Sequence, residues 1–348
     1  EKTPHIFRTR AEEPDSPPVH PYVHQTDAVK KILSGNNVVV STGTGSGKSF
    51  TFGIPIVSTA LRMREEGKRG IKAVIVYPMN ALANSQYQDF ARRLHGSGLK
   101  IARYTGDTQT SPEAALQQYR TVTGRDQPYD SEVISREAIR NHPPDVLMTN
   151  YVMLELLLTR FEDRRLFKHE GMLQYLVLDE VHTYTGKRGA DVAALLRRLK
   201  QHTKTIGQLR CIATSATVES AGDETAAEAV SKFVSKLFGE PFDVENVVTE
   251  TYAPLSADLT EEQRRLVEEV SSEPLMNTEL ARRLEWSLEK TIQQVKQIPD
   301  LPSRLHAFFS QGQGIAACLA VDGPHLNDRG ESTCPTCARE NLERPTFP

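Results

Sequence analysis

The chain has 348 residues, of which 38% are apolar and 25% charged, and its net charge is −3 at neutral pH. That length allows about two domains of roughly 150 residues, in the composition range of a soluble globular protein; no run of eighteen apolar residues exists to span a membrane, and the charge balance argues against a polycationic coat while leaving room for a local basic track. Of four cysteines, three cluster at Cys318, Cys334 and Cys337, a sparse pattern that argues against a secreted disulfide framework and for cytosolic, metal-related use.

Residues 1–20 are polar and proline-rich, and read as an irregular lead-in without the apolar core of a signal peptide. Apolar spacing predicts a helix over Tyr22–Leu33, then a short buried strand in "NNVVV" and a glycine-rich turn. A second helix runs from Ser49 to Gly67, followed by the β-branched strand "IKAVIVYP" and the helix "NALANSQYQDFARRLHG". "LKIARYTGD" reads as strand and turn, and residues 108–144 as a loop-rich insertion with short helices. "DVLMTN", "YLVLDE" and "LRCIATSAT" are further strands, separated by the helices "YVMLELLLTRFED" and "GADVAALLRRLKQ". Strands that are almost wholly apolar and alternate with helices predict a doubly wound α/β domain, a parallel sheet covered on both faces, over residues 21–250. Residues 251–300 turn helical and charge-rich, and residues 301–348 form a short irregular segment bearing the cysteines.

"TGTGSGKS", Thr42–Ser49, lies between a buried strand and a helix, the context of a phosphate-binding loop. Backbone N–H groups of Thr44, Gly45, Ser46 and Gly47 can converge on phosphate oxygens at the positive end of the new helix. Lys48 would reach the β- and γ-phosphates of a nucleotide, and Ser49 would hold Mg2+. Thr42 occupies the place of the first glycine in the general pattern.

With that threonine, the loop resembles motif I of superfamily 2 helicases, and the resemblance extends in order along the chain. "YLVLDEVH" resembles the D-E-x-H box, in which Asp179 would order the Mg2+ shell, Glu180 would polarise the attacking water, and His182 would follow. Gln25 resembles the Q motif, whose amide reads adenine. "YPMNALANSQ", "YTGD" and "TNYVMLE" resemble the strand-contacting motifs, which makes Pro78, Asn80, Gly106, Thr149 and Asn150 candidate nucleic-acid contacts carrying no sequence information. "TSAT" resembles motif III, where Ser215 and Thr217 would couple the ATP site, through His182, to the bound strand.

"SREAIRNHPPDVLMTNYVMLE" and "LDEVHTYTGKRGADVAALLRRL" narrow the resemblance to superfamily 2 helicases that carry a DUF1998 domain, the group of MrfA-type repair helicases and of the DISARM and Druantia anti-phage helicases. It covers residues 20–250 well and "LPSRLHAFFSQGQGIAACL" more loosely. It implies a RecA-like first motor domain, ATP with Mg2+, a DNA partner, membership of a defence or repair complex, and a bacterial cytoplasmic setting without a membrane. Such a motor needs a second RecA-like domain with arginine fingers, but no Q-x-x-G-R-x-G-R stretch follows Thr217. These residues therefore read as the first motor domain and an adjoining piece. The alternative is an ATP-gated DNA-binding scaffold subunit that does not unwind; a small-molecule phosphoryl transferase is disfavoured by "TSAT".

Two features stay open at this level. Asn277–Ile298 has the spacing of a helix-turn-helix or winged-helix unit, but equally of a plain amphipathic pair with Leu280, Leu284, Ile292 and Val295 as its core. The Cys334–Cys337 knuckle is half of a tetrahedral Zn2+ site, with Cys318 as third ligand and His325, or a residue beyond Pro348, as fourth; free thiols or a redox pair are the alternatives. Cys211, inside an apolar strand, reads as core.

Overall fold

In the computed structural model, the described residues are 6–7, 18–43, 46–78, 80–167, 170–216, 225–250, 259–272, 277–298, 316–320 and 323–327. The chain divides into two compact units, residues 1–251 and 252–348.

The first unit is built on seven strands: β1 (Val38–Ser41), β2 (Ala73–Tyr77), β3 (Ile101–Tyr104), β4 (Val146–Asn150), β5 (Tyr175–Leu178), β6 (Arg210–Ser215) and β7 (Val247–Thr249). They lie in the order β3-β4-β2-β5-β6-β1-β7, and every pairing is parallel. Side chains alternate between the two faces of a strand, and the core separates by that parity. Val38, Val40, Ile75, Val177 and Ile212 face one cluster, completed by α1 (Val23–Leu33), α2 (Lys48–Glu65) and α3 (Asn80–Leu94). Val39, Val74, Val76, Leu176 and Ala213 face the other. That face is covered by α6 (Tyr151–Thr159), α7 (Gly186–Thr203) and α8 (Ala226–Phe238). Both faces being dry explains why the strands read as unbroken apolar runs. This is the doubly wound, RecA-like architecture expected.

Between β3 and β4 stand α4 (Pro112–Thr123) and α5 (Arg136–Asn141). α4 is a regular helix, capped by Ser111, whose hydroxyl accepts from Ala114 N–H, and ended by Gly124 in the left-handed region. Only Ala115 of it is buried, so it carries no apolar stripe by which its length could be read. The amino ends of β2 and β4 and the start of β3 are tied by Asp145. Its carboxylate accepts from the fully buried Lys72 (2.6 Å), from Arg64 (3.1 Å) and from the backbone N–H of Lys100 (2.7 Å).

In the second unit, α9 (Glu261–Ser272), α10 (Asn277–Leu284) and α11 (Leu288–Gln297) pack around Leu266, Leu280, Leu284, Val295 and Ile298. Ile292, expected in this core, is partly exposed. β8 (Ala316–Ala320) and β9 (Gly323–Asn327) form an antiparallel hairpin in which Cys318 stands directly opposite His325. Among the described residues, no helix is long and apolar enough to cross a membrane.

Candidate nucleotide site

Because all seven strands run the same way, their carboxyl ends share one edge of the sheet, and ligands of such sheets bind along that edge. The turn after β1 opens there. Thr44 and Gly45 lie outside the described residues; the rest of the turn is fixed by short contacts. Thr42 Oγ1 and Ser46 Oγ are 2.6 Å apart, and Thr42 N–H donates to Ser215 O at 3.3 Å. Gly47, the cap of α2, has φ 74°, in the left-handed region that glycine adopts without steric cost. The backbone therefore favours glycine there, and a Cβ, 2.4 Å from Gln25 Nε2, would push the Gln25 amide off the loop.

Gln25 is buried in the first turn of α1. Its Nε2 donates to Ser46 O (3.2 Å) and Gly47 O (3.0 Å), and its Oε1 accepts from Tyr22 N–H (2.9 Å). His24 Nε2 also reaches Ser46 O, at 3.2 Å. Gln25 is thus a clamp on the backbone of the glycine-rich turn, with both its amide nitrogen and its amide oxygen bonded within the protein.

Lys48 projects from the first turn of α2 and is held from three sides: by Glu180 Oε1 (3.2 Å), Ser215 O (3.1 Å) and Thr42 O (3.3 Å). Ser49 Oγ donates to Gln86 Oε1 on α3 at 2.6 Å. At the end of β5, Asp179 is almost fully buried, and Thr214 Oγ1 donates to its Oδ1. Burial pushes the Asp179 carboxyl above its ordinary pKa, while the Thr214 hydrogen bond and the Lys48 charge pull it back. Glu180 adopts φ 49°, ψ 54°, a conformation that turns the chain sharply out of the strand. Its Oε2 is buried and lies 3.3 Å from His182 Nδ1, without hydrogen-bond geometry. His182 Nδ1 is in turn 3.4 Å from Ser215 Oγ. α7 sits tightly behind this turn because residue 189 is glycine; a Cβ there would stand 2.4 Å from Tyr184 O.

A loop lysine after β1, two carboxylates at the end of β5, a histidine beyond them and a serine from β6, the strand between, therefore meet at one edge. Comparison with known proteins gives the same region a family. The DEAD/DEAH box helicase model matches residues 22–225. The chain belongs to the DEAD/DEAH box helicases. Druantia protein DruE of Escherichia coli (strain UMEA 4076-1) is 29% identical over 296 residues, covering 58% of this chain and 16% of that protein. The uncharacterized ATP-dependent helicase YprA of Bacillus subtilis (strain 168) is 29% identical over 198 residues, covering 57% and 23%. The crystal structure of DUF1998 helicase MrfA bound to DNA superposes with a TM-score of 0.49 at 24% identity, covering 72% of this chain and 32% of that one. The chain thus spans only 16% to 23% of the length of these two sequence relatives.

This DEAD/DEAH helicase family implies ATP and Mg2+, and the residues fit both. The loop backbone bends through a left-handed glycine at Gly47, where a Cβ would displace the Gln25 amide that holds the loop. A buried carboxylate, a second carboxylate with an unpartnered oxygen and an ammonium stand beside it, the donor set that a metal-bound triphosphate requires.

The expected nucleic-acid residues lie further along the same edge, at the ends of β2, β3 and β4. Pro78 follows β2, Gly106 follows β3, and Thr149 and Asn150 end β4. Thr149 Oγ1 donates to Tyr104 O at 2.7 Å, and the Asn150 side chain caps α6 by accepting from Met153 N–H at 2.8 Å. Arg136, on α5, holds the Gly106 turn by donating to the carbonyls of Thr105 (3.2 Å) and Gly106 (2.9 Å). Asn80 begins α3, but its side chain lies outside the described residues, as do Thr217, Cys334 and Cys337. Two contacts escaped the sequence reading, His24 and Gln86, and a third, Thr214, stands there only as the first letter of "TSAT" with no role of its own.

Proposed function

We propose that this chain is the ATP-binding first motor domain of a DNA helicase or translocase acting in a bacterial anti-phage defence or DNA-repair complex in the cytoplasm. The observation that carries the reading is the meeting of Lys48, Asp179, Glu180, His182 and Ser215 at one sheet edge. Lys48 offsets phosphate charge, and the turn from Ser46 to Ser49 orients the triphosphate. Asp179 holds the metal's water shell, and Glu180 accepts the proton of the attacking water. When bound, Mg2+ would withdraw electrons from the phosphoryl oxygens. His182 and Ser215 link this corner to β6 and Thr217, and so to the strand-contacting row of Pro78, Asn80, Gly106, Thr149 and Asn150.

The DNA assignment rests on the resemblance of "SREAIRNHPPDVLMTNYVMLE" and "LDEVHTYTGKRGADVAALLRRL" to DUF1998 helicases. The defence assignment rests on likeness to DruE, which is described as a Druantia protein. Arginine fingers are assigned to a second motor domain outside these 348 residues, which would by themselves bind nucleotide, hydrolyse it slowly and not unwind. In the second unit, α9–α11 carry as many acidic as basic side chains, and Arg282 and Arg283 are both paired with Glu279. That balance favours a packing role for the three helices over tracking of phosphates. For Zn2+, the register that sets Cys318 opposite His325 in the hairpin brings two of the candidate ligand positions together; metal analysis of purified protein should find one zinc per chain.

DNA-stimulated ATP hydrolysis by the full-length protein tests the motor reading. Glu180→Gln should bind nucleotide yet lose hydrolysis by at least ~100-fold, the scale of a general base. Absence of stimulation by any nucleic acid would leave the scaffold alternative standing.

A further inference from the structure

Thr214 lies one residue before the end of β6 and is fully buried. The parallel register sets Ala213 opposite Leu178, which brings Thr214 beside the corner where β5 ends in Asp179 and Glu180. Its hydroxyl makes two bonds of opposite sense there. Oγ1 donates to Asp179 Oδ1 and accepts the backbone N–H of Glu180 at 3.1 Å. One hydroxyl has a proton to give and lone pairs to receive, so it can serve both. Valine, with the same shape, can serve neither.

Both partners need such an anchor. Asp179 is a buried carboxylate, and among the described residues Thr214 is the one side chain bonded to it. Glu180 sits in the left-handed region without being glycine, a conformation that persists only where the surroundings over-determine it. Its N–H is held by Thr214 Oγ1, with the Asp179 carboxylate as a second acceptor beside it, so the turn and both carboxyl groups share one set of hydrogen bonds.

We infer that Thr214 is a positioning residue that sets the direction of both carboxylates at once, on the reading that this corner receives a metal-bound nucleotide. It touches no phosphate itself. Through one oxygen it fixes the Asp179 carboxylate toward the metal shell, and through the Glu180 N–H it holds the turn that aims Glu180. Since Thr214 directly precedes Ser215 and the coupling segment, a shift of the β6 end moves both carboxylates together.

The test compares Thr214→Val and Thr214→Ser in the full chain, each first shown to melt cooperatively. Binding of Mn2+ in the presence of ADP is followed by electron paramagnetic resonance, and ADP binding in EDTA by fluorescence anisotropy. Neither readout needs turnover, so a chain without DNA-stimulated hydrolysis still gives an answer. Thr214→Val should weaken Mn2+ binding by about 10–100-fold, as loss of an outer-shell partner does, with metal-free ADP affinity unchanged. Thr214→Ser should restore it, and where hydrolysis is measurable the valine variant should lose kcat while KM for ATP holds. Unchanged Mn2+ affinity in Thr214→Val, or an equal loss in Thr214→Ser, would overturn the inference. If the unmodified chain binds no Mn2+ with ADP, the nucleotide-site reading fails, and this inference with it.

Discussion

Replacing Gln25 by alanine separates two roles for the Q-motif amide. The motif resemblance has it reading adenine; the structure has it gripping the phosphate loop at Ser46 O and Gly47 O. Alanine removes both bonds and the acceptor for Tyr22 N–H. The loop carbonyls are not orphaned, since His24 still reaches Ser46 O and Phe50 N–H still donates to Gly47 O. Tyr22 is well exposed, so its N–H regains water. The cost is then that of two ordinary hydrogen bonds, about 1–3 kcal/mol. Met as loop ordering when nucleotide binds, this weakens affinity by about 5–150-fold. The loop meets phosphates and not the base, so ATP and GTP should weaken alike and their affinity ratio should stay fixed. Competition of each against a fluorescent ADP measures both. A loss of about tenfold or more for ATP, some 1.4 kcal/mol, with GTP unchanged would refute the clamp and restore the base-reading role.

Two further outcomes follow from buried groups away from the loop. Asp145→Ala strands the buried Lys72 ammonium, Arg64 and the Lys100 N–H together, and should cost about 3–5 kcal/mol in urea unfolding; Lys72→Met with Asp145→Leu should recover part of it, because no uncompensated charge is left inside. Cys211, in β6, has its thiol pushed up to about 12 by burial, from an ordinary value of 9.0. Between those values the native thiol keeps a proton that the unfolded chain loses, so the stability it contributes is complete below about pH 9 and is lost as pH rises toward 12. The urea midpoint should fall more steeply between those limits in the parent than in Cys211→Ala, and the Cys211 peptide should resist alkylation at pH 9 until urea is added.

How much of this was legible before the structure differs by element for physical reasons. β1 to β6 announce themselves because burial on both faces forces apolar runs such as "AVIVY" and "YLVL". β7 does not: it has three residues, at the sheet edge, in the polar stretch "VENVVTET". α8 carries readable signals, with Thr225 and Glu228 forming a capping box and Val230, Val234 and Leu237 on one side, yet the sequence reading assigns no element there. In the site, Lys48, Asp179 and Glu180 are visible as letters because their chemistry tolerates few substitutes. Thr214, the first letter of "TSAT", and Gln86, the last of "YPMNALANSQ", are visible only as letters of motifs; their partners are not, since those follow from β6 lying beside β5 and α3 beside α2.

The Lys48–Glu180 pair is the reason the loop and the carboxylate corner must be considered as one device. Lys48 has three acceptors, and two of them, Glu180 Oε1 and Ser215 O, belong to the far side of the site. Both side chains are only partly screened, at 10% and 18% exposure, so the pair is worth more than a surface ion pair. On the proposed nucleotide-site reading, a triphosphate carries more charge than one carboxylate and offers several acceptor oxygens, so it would compete with Glu180 for the ammonium. That exchange would free Glu180 Oε1 to accept a proton from water. Binding of phosphate and release of the base would then be a single event, felt at Ser215, whose carbonyl holds Lys48 and whose hydroxyl reaches His182. Occupancy of the loop would thereby reach β6 through a lysine that changes partners.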